Sequence, residues 1–258
     1  MKPLKPVPLS AEQVASVRSL VFHNDPSVLA LNKPAGLSSQ GGRGQVVTLD
    51  EMLWAFAKPG KARPRLIHRL DRDTSGVILA ARTQPAASFL GKAMMARKIT
   101  KTYLAMVAPG APIPPSGRIM EALRRVETGR EARMQVCATN HPDAEAAETH
   151  YRTLSTADGA ALLEVSPRTG RMHQIRVHLA AIQRPIVGDA WYGGALMIQG
   201  LPAPRLMLHA SALTFPHPDG GRMTLRAPLP ADFASLLEGL GLRAPGLDGT
   251  PVTREAGP

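Results

Sequence analysis

Residues Leu66 to Gly76 read LIHRLDRDTSG, and the apolar run Val77 to Ala81 follows them directly. The apolar run predicts a buried strand that is entered from a polar loop. Two carboxylates, two guanidiniums and an imidazole fall within the six residues from His68 to Asp73. A carboxylate surrounded by cations is held in its charged form. The loop therefore indicates a site where one aspartate acts as an anion, directly before a strand.

A second dense polar stretch, from Thr169 to Leu179, reads TGRMHQIRVHL. Its apolar residues recur at helical spacing, at Met172, Ile175 and Leu179. This spacing predicts a helix with one face packed inward. On such a helix Arg176 lies at the edge of the buried stripe, where a guanidinium can reach a partner outside the helix.

The composition is that of a basic globular protein. The chain has 258 residues, 44% of them hydrophobic, which is enough for a sizeable core and too many for a disordered chain. Lysine and arginine outnumber aspartate and glutamate by 31 to 20, a net charge of +11. The excess favours a polyanionic partner, since neutralising phosphates releases condensed counterions.

Several classes of protein are disfavoured by the sequence. Cys137 is the only cysteine, so neither an intrachain disulfide nor a cysteine-rich zinc site can form. No stretch approaches the roughly 20 apolar residues of a membrane helix. The basic start, MKPLKP, lacks the apolar core of a signal peptide. We therefore expect a cytoplasmic protein that does not enter a membrane.

Other elements follow from local signals. A capping box at Thr48 to Glu51 predicts a helix through Lys58, and Asp158-Gly159 predicts a hairpin turn. Residues 118–146 are polar and predict irregular strands and exposed loops. Further expected helices are a weak one at Ala11 to Leu20, one at Pro85 to Arg97 buried through Ala86, Phe89, Leu90, Ala93 and Met94, and a last one at Asp232 to Leu240. Further expected strands are at Asp25 to Leu31, Leu104 to Val107, Thr149 to Leu154, Ala161 to Ser166 and Arg205 to Phe215.

Three separated blocks carry a resemblance to a known family. His68 to Gly76 resembles the signature loop of the RluA-type RNA pseudouridine synthases, in which the aspartate of HRLD is catalytic. NKPAG, ending at Gly36, is similar to a turn near the active site of that family. Residues 169–193 resemble its TGRxHQIRVHL…PIxGDxxYG segment. The one departure is Ser38-Ser39-Gln40, where many members carry an apolar pair and a histidine.

The resemblance implies the fold and the domain organisation. It implies an α+β domain whose mixed, largely antiparallel sheet is bent into two lobes with a central active-site cleft. We expect an N-terminal arm at residues 1–22, the catalytic domain at 23–242 and a flexible tail at 243–258. No appended RNA-binding domain fits before residue 23, and we expect a monomer.

The resemblance also implies the reaction, which breaks the N1–C1′ bond of a uridine and joins C5 to C1′. No redox step is involved, so no cofactor is expected. Asp71 would attack C1′ or take a 2′ proton, and the sequence does not choose between these. Arg176 resembles the arginine that pairs with this aspartate, the alternative being a structural ion pair. Tyr103 resembles a tyrosine that stacks on the uracil and relays the C5 proton.

Six further residues are expected to contact RNA. Arg69 stands two residues before Asp71 and could fill the gap left by a flipped base. The remaining expected contacts, to phosphates or neighbouring nucleotides, are Lys33, Arg72, Arg171, His173 and Gln174. A metal site at His68 and His173 is disfavoured, because arginines surround both histidines.

Three other functions were weighed against the residues. A phosphate-binding glycine loop at Gly36 to Gly44 is disfavoured because no GK[ST] follows it. A phosphoaspartate phosphatase is disfavoured because the apolar strand follows the aspartate instead of preceding it. A non-catalytic RNA-binding protein would be signalled by loss of Asp71, Tyr103 or Arg176, and all three are present. The sequence therefore predicts an enzyme that isomerises uridine in structured RNA, ribosomal or transfer, and leaves the target uridine open.

Overall fold

Short helices and many strands alternate along the chain, as the turn signals predict. The computed structural model describes residues 7–41, 47–128, 131–244 and 251–255. The α-helices are α1 (Ala11–Ser19), α2 (Leu49–Met52), α3 (Gln84–Met95), α4 (Gln174–Ala181) and α5 (Ala231–Gly239), and a 3-10 helix (Leu53–Phe56) follows α2. The strands are β1 (Val21–Asn24), β2 (Val28–Lys33), β3 (Arg65–Leu66), β4 (Ser75–Ala81), β5 (Thr100–Val107), β6 (Ser116–Ile119), β7 (Ala122–Thr128), β8 (Glu131–Cys137), β9 (Thr149–Ala157), β10 (Ala160–Pro167), β11 (Met197–Ile198), β12 (Leu201–Pro202), β13 (Leu208–Pro216), β14 (Arg222–Arg226) and β15 (Val252–Glu255).

The chain folds into two compact units. The first is built from residues 1–99, 212–228 and 250–258, and the second from residues 100–211 and 229–249. Strand β13 supplies its first residues to the second unit and its last residues to the first. The predicted α+β fold with a largely antiparallel sheet is confirmed.

In the first unit, β4 is the central strand of an antiparallel set. It pairs with β2, which pairs in turn with β1, and β3 pairs with the C-terminal part of β4. All seven residues of β4 are buried, as the apolar run predicts. Helix α3 follows β4 and is capped by Thr83, whose side chain accepts a hydrogen bond from the backbone N–H of Ala86. Strand β4, which follows the signature loop, is therefore held in place by its pairing with β2 and β3.

In the second unit, strands β5, β10, β9 and β6 are neighbours in that order, all antiparallel. The predicted hairpin at Asp158-Gly159 is confirmed, and Gly159 has the positive φ of +65° that the turn requires. Helix α4 is buried on every side from Gln174 to Leu179, so its core face is wider than the predicted stripe.

Three predicted elements need correction. Residues 118–146 were expected to be irregular, but β7 and β8 form a regular antiparallel hairpin within them. The helix after Thr48 has the predicted capping box, yet it passes into a 3-10 turn and ends at Phe56 instead of Lys58. In α3, Ala86, Leu90 and Ala93 are buried as predicted, whereas Phe89 is 41% exposed because it lies beyond the edge of the buried face.

The C-terminal end differs from the expected tail, whereas the N-terminal helix is as expected. Helix α1 is present as predicted, with a capping box between Ser10 and Gln13. Within the tail, Val252–Glu255 forms β15 and pairs with β14, so these four residues are not the flexible segment that was expected. Residues 1–6, 245–250 and 256–258, and the 42–46 part of the glycine-rich loop, lie outside the described residues. The division into arm, catalytic domain and tail stays a prediction.

Candidate active site

The signature loop of the first unit is fixed by contacts with the NKPAG turn and the loop after it. The hydroxyl of Ser39 donates to the carbonyl of Leu70 at 2.7 Å and accepts from the backbone N–H of Leu70 at 3.1 Å. Ser39 is 3% exposed, so water does not compete for these bonds. The residue that departs from the family pattern therefore anchors the backbone immediately before Asp71.

Lys33 holds the other side of the same loop. Its ammonium donates to the carbonyl oxygens of Pro34, Leu37 and Arg72, at 2.8, 2.8 and 2.9 Å. The side chain is completely buried, so the predicted contact of Lys33 with a phosphate is wrong. The three carbonyls match the three N–H donors of the ammonium. Lys33 therefore fixes the backbone of Arg72, the residue after Asp71.

Asp71 lies between these two anchors and is half-buried. Its backbone carbonyl accepts from the N–H of Thr74 at 3.2 Å, which closes the turn into β4. Arg69 and Arg72 are exposed on either side of it, and Arg72 Nε bonds the carbonyl of Gly36 at 3.2 Å. The arrangement presents one carboxylate on a rigid turn, flanked by guanidiniums that solvent or a polyanion can reach.

The side chain of His68 bonds the backbone of strand β4. Its Nε2 accepts the backbone N–H of Leu79 at 3.1 Å, so this ring nitrogen carries no proton in that bond. An accepting nitrogen that is already bonded to an N–H has no lone pair for a metal ion. The loop around Asp71 is thus positioned by a histidine, a lysine and a serine that all act on backbone groups.

In the second unit, Arg176 is clamped by Asp189. Arg176 Nε and one terminal nitrogen donate to the two carboxylate oxygens, each at 2.7 Å, and both side chains are almost fully buried. One oxygen of Asp189 also accepts from the backbone N–H groups of Trp191 and Tyr192, at 3.1 and 3.3 Å. A bidentate pair of this kind fixes the plane of the guanidinium as well as its charge. Arg176 thus forms a structural ion pair with Asp189, which is the alternative role considered for it. The pairing of Arg176 with Asp71 stays a prediction.

Aromatic rings complete the surroundings of Arg176. Its guanidinium carbon lies 4.9 Å from the ring centre of Tyr192 and 5.5 Å from that of Trp191. The Tyr192 hydroxyl accepts from the backbone N–H of Met134 and lies 2.9 Å from His173 Nδ1. Burial raises the pKa of Tyr192 above its ordinary value, outweighing the cations nearby, so the hydroxyl keeps its proton. His173 is therefore oriented by this hydrogen bond.

Gln174 is a structural residue, and its predicted role in RNA binding is wrong. It is 3% exposed, and its amide oxygen accepts from the hydroxyl of Thr169 and the N–H of Arg171. Its amide nitrogen donates to the carbonyl of Glu148 and the hydroxyl of Thr149. Both oxygen lone pairs and both N–H bonds are occupied inside the unit, which leaves nothing for a nucleotide.

The two remaining predicted residues of this unit occupy different settings. Arg171 is exposed and forms a 2.9 Å ion pair with Glu145, which is also exposed. A guanidinium in such a surface pair can exchange its partner for a phosphate at little cost. Tyr103 lies on β5, opposite Val165 of β10, and is 8% exposed.

Asp189 is the functional candidate that the sequence analysis left without a role. It stands in the family-like segment after Gly188, whose φ is +80°. A Cβ at Gly188 would lie 1.8 Å from the carbonyl oxygen of Arg205, so only glycine fits there. The signal that could have found Asp189 is its place as the one carboxylate directly after this glycine.

One group of side chains could in principle hold a metal ion. Within the described part of the chain, ligand atoms of Asp25, His217 and Asp219 lie within 4.8 Å of one another. The carboxylate of Asp25 is already engaged, since it accepts from His23 Nε2 at 2.8 Å, His217 Nε2 at 3.1 Å and two backbone N–H groups. These hydrogen bonds occupy the atoms that a cation would need, so the cluster fits a structural network better than a metal centre.

Comparisons with known proteins point to one family. A family model described as RNA pseudouridylate synthase matches residues 27–181. The ribosomal large subunit pseudouridine synthase D of Haemophilus ducreyi is 36% identical over 234 residues, covering 85% of this chain and 70% of the relative. An uncharacterized RNA pseudouridine synthase of Chloroflexus aurantiacus is 42% identical over 219 residues, covering 83% of this chain and 66% of the relative.

Two solved human structures share the fold. RNA Pseudouridylate Synthase Domain Containing 4 aligns with a TM-score of 0.76 at 25% identity, covering 91% of this chain and 99% of that chain. RNA Pseudouridylate Synthase Domain Containing 1 aligns with a TM-score of 0.68 at 27% identity, covering 90% and 95%.

Fold, signature loop and relatives together define the class as an isomerase that acts on RNA. More narrowly, the chain belongs to the RNA pseudouridine synthase family and converts uridine to pseudouridine within an RNA chain. None of the helices in the described ranges has the length and apolar character needed to cross a bilayer.

Proposed function

We propose that the chain isomerises uridines of structured RNA, with Asp71 as the carboxylate that acts at the sugar. The observation that carries this proposal is the loop geometry: a half-buried aspartate on a turn whose backbone is fixed on both sides by Ser39 and Lys33. A rigid turn supports catalysis because the carboxylate need not be ordered when the substrate binds. Attack on C1′ and removal of a 2′ proton both remain open for this carboxylate.

Tyr103 and Arg176 take the other catalytic roles in this proposal. Tyr103 stacks on the uracil and relays the C5 proton, and Arg176 keeps the active carboxylate ionised. The fixed orientation of Arg176 supports its part, since Asp189 and the rings of Trp191 and Tyr192 leave it few conformations.

A uridine stacked in RNA does not expose C1′ to a carboxylate, so the target nucleotide leaves its stack, at a cost of about a few kcal/mol. The exposed Arg69, next to Leu70 at the start of the anchored turn, is the residue that fills the vacated space in this proposal. A planar guanidinium suits that role better than an ammonium does.

The RNA class is proposed from the relatives. The name of the Haemophilus relative refers to the ribosomal large subunit, which favours ribosomal over transfer RNA. We place the reaction in the cytoplasm and assign it to a monomer that uses no cofactor. Mapping pseudouridines in cellular RNA with and without this gene identifies the RNA and the uridine.

The catalytic assignment is tested by tritium release from C5-labelled RNA. We expect Asp71→Asn to fold and to release no measurable tritium, because an amide is neither nucleophile nor base. Asp73→Asn is the matched control, since Asp73 lies in the same loop, is 57% exposed and undergoes the same chemical change. Release by Asp71→Asn near the wild-type rate contradicts the assignment, and a non-catalytic RNA-binding protein would show no release in the unaltered chain.

A further inference from the structure

A cavity of about 680 Å³ opens on the first unit, outside the signature loop. Its walls come from the turn after β1, the segment after the 3-10 helix and the end of β4. The residues that lend it charge are Lys58, Lys61 and Arg82, against the single carboxylate of Asp25. Nothing in the chemistry of uridine isomerisation accounts for this cavity.

The two lysines are held on one wall by a tight turn. The backbone N–H of Lys61 bonds the carbonyl of Lys58 at 2.9 Å, and Gly60 has a φ of +69°. Pro59 and Gly60 therefore occupy the middle of a turn that suits them, which places Lys58 and Lys61 side by side. Both are exposed, and the described residues pair neither of them with a carboxylate.

The carboxylate of Asp25 offsets only part of this charge, one anion against three cations. It accepts hydrogen bonds from His23, His217 and the backbone N–H groups of Ser27 and Val28. Burial alone would raise the pKa of Asp25, but these bonds lower it below the ordinary value, so the group is satisfied internally. Arg82, which follows β4, donates one N–H to Asn24, and no other acceptor in the described part of the chain bonds its guanidinium.

Position along the chain separates the cavity from the catalytic turn. Asp71 stands before the first residue of β4, and Arg82 follows the last. Seven extended residues span about 20 Å. An anion bound in the cavity is therefore distinct from the nucleotide at Asp71.

We infer that this cavity binds backbone phosphates of the RNA substrate at a distance from the target uridine. Two neighbouring lysines on a fixed turn and a guanidinium fit a phosphodiester, which offers charge and acceptors without base identity. Such a contact fixes the register of a structured RNA on the enzyme while leaving the reading of sequence to the loop around Asp71.

The test is the salt dependence of binding of a fluorescein-labelled RNA hairpin by the whole chain. Removing a lysine that touches a phosphate flattens the log–log salt slope by about one unit. We expect Lys58→Ala and Lys61→Ala each to flatten the slope by about one unit, and the double variant by about two. Lys92→Ala is the matched control, since Lys92 is an exposed lysine of the same unit on α3. A Lys58→Arg/Lys61→Arg variant keeps the charge and is expected to keep the slope.

Two outcomes overturn the inference. The first is a slope for Lys58→Ala/Lys61→Ala that equals that of Lys92→Ala. The second outcome distinguishes a free anion from RNA. If a mononucleotide or inorganic phosphate binds the wild type but not the double variant, and the RNA slope is the same in both, the cavity is a small-anion site. Thermal unfolding of each variant verifies the fold, and because both lysines are exposed we expect no change in the midpoint.

Discussion

Single polar side chains fix the backbone on which the proposed chemistry depends. Ser39 acts on the residue before Asp71 and Lys33 on the residue after it, so one hydroxyl and one ammonium set the turn between them. Both donors are buried and bond carbonyl oxygens of the main chain. The residues that fix the shape of the loop around Asp71 are therefore not the residues that are proposed to contact the substrate.

The buried pair Arg176–Asp189 gives a prediction at the scale of one residue. Asp189→Asn leaves the guanidinium buried without its counter-charge, and loss of one partner of a buried pair costs about 3–5 kcal/mol. We expect the free energy of unfolding, measured in urea, to fall by about that amount. Activity falls with it, because Arg176 loses its fixed orientation.

Glu145→Gln is the matched control for that measurement. It removes one carboxylate charge from the surface pair Arg171–Glu145, and a surface pair contributes about 0–1 kcal/mol. Equal losses of stability in the two variants would show that Asp189 does not act as the buried counter-charge of Arg176.

Helix α4 is held by a chain of hydrogen bonds that joins it to β9 and to the segment between β6 and β7. Gln174 donates to the hydroxyl of Thr149 on β9, and that hydroxyl lies 2.9 Å from His178 Nδ1. His178 Nε2 donates to the carbonyl of Glu121 at 3.0 Å. A carbonyl oxygen only accepts, so Nε2 carries a proton, and in the neutral imidazole that burial favours Nδ1 accepts the hydrogen of the Thr149 hydroxyl. The helix is therefore tied to β9 by polar groups inside the core.

This network predicts that stability depends on pH. Burial lowers the pKa of His178, against the opposing effect of the Glu121 carbonyl. A histidine in the unfolded chain has a pKa of about 6.5. Below that pH the unfolded chain therefore binds more protons at His178 than the folded chain does. The contribution of His178 is therefore fully present above about pH 6.5 and is lost as the pH falls through that value towards the lowered folded pKa.

The measurement compares urea unfolding of the wild type and of His178→Gln between neutral and mildly acid pH. We expect the stability advantage of the wild type to shrink as the pH falls, because glutamine does not titrate. A difference that stays constant over this range would mean that His178 is not buried in its neutral form.

At the scale of the whole molecule, the net charge of +11 makes RNA binding electrostatic. We expect affinity to fall steeply with salt, and Arg72→Ala and Arg171→Ala each to flatten the log–log slope by about one unit. Both arginines are exposed, which a phosphate contact requires. The measurement is a titration of labelled RNA at several salt concentrations.

Arg152→Ala is the control for these two variants, since Arg152 is 62% exposed and pairs with Glu164 on the neighbouring strand. A slope that is unchanged in Arg72→Ala or Arg171→Ala, or changed equally in Arg152→Ala, would remove those arginines from the RNA contacts.

The sequence by itself determined the family and the local elements. The polar loop before an apolar run placed Asp71 at the start of a buried strand, and β4 is that strand. Helical spacing located α4, and turn residues located the hairpin at Gly159. These features depend on residues close together in the chain, where periodicity and turn chemistry act directly.

Only the tertiary structure decided what each polar side chain contacts. Lys33 meets Arg72 across 39 residues, Ser39 meets Leu70 across 31 and Gln174 meets Thr149 across 25. A lysine or glutamine in a polar stretch has the same local signal whether it faces a phosphate or a buried carbonyl. The outcome depends on burial, because a buried donor must find an acceptor within the protein. The sequence therefore predicts that Lys33 and Gln174 contact RNA, whereas the fold buries both side chains.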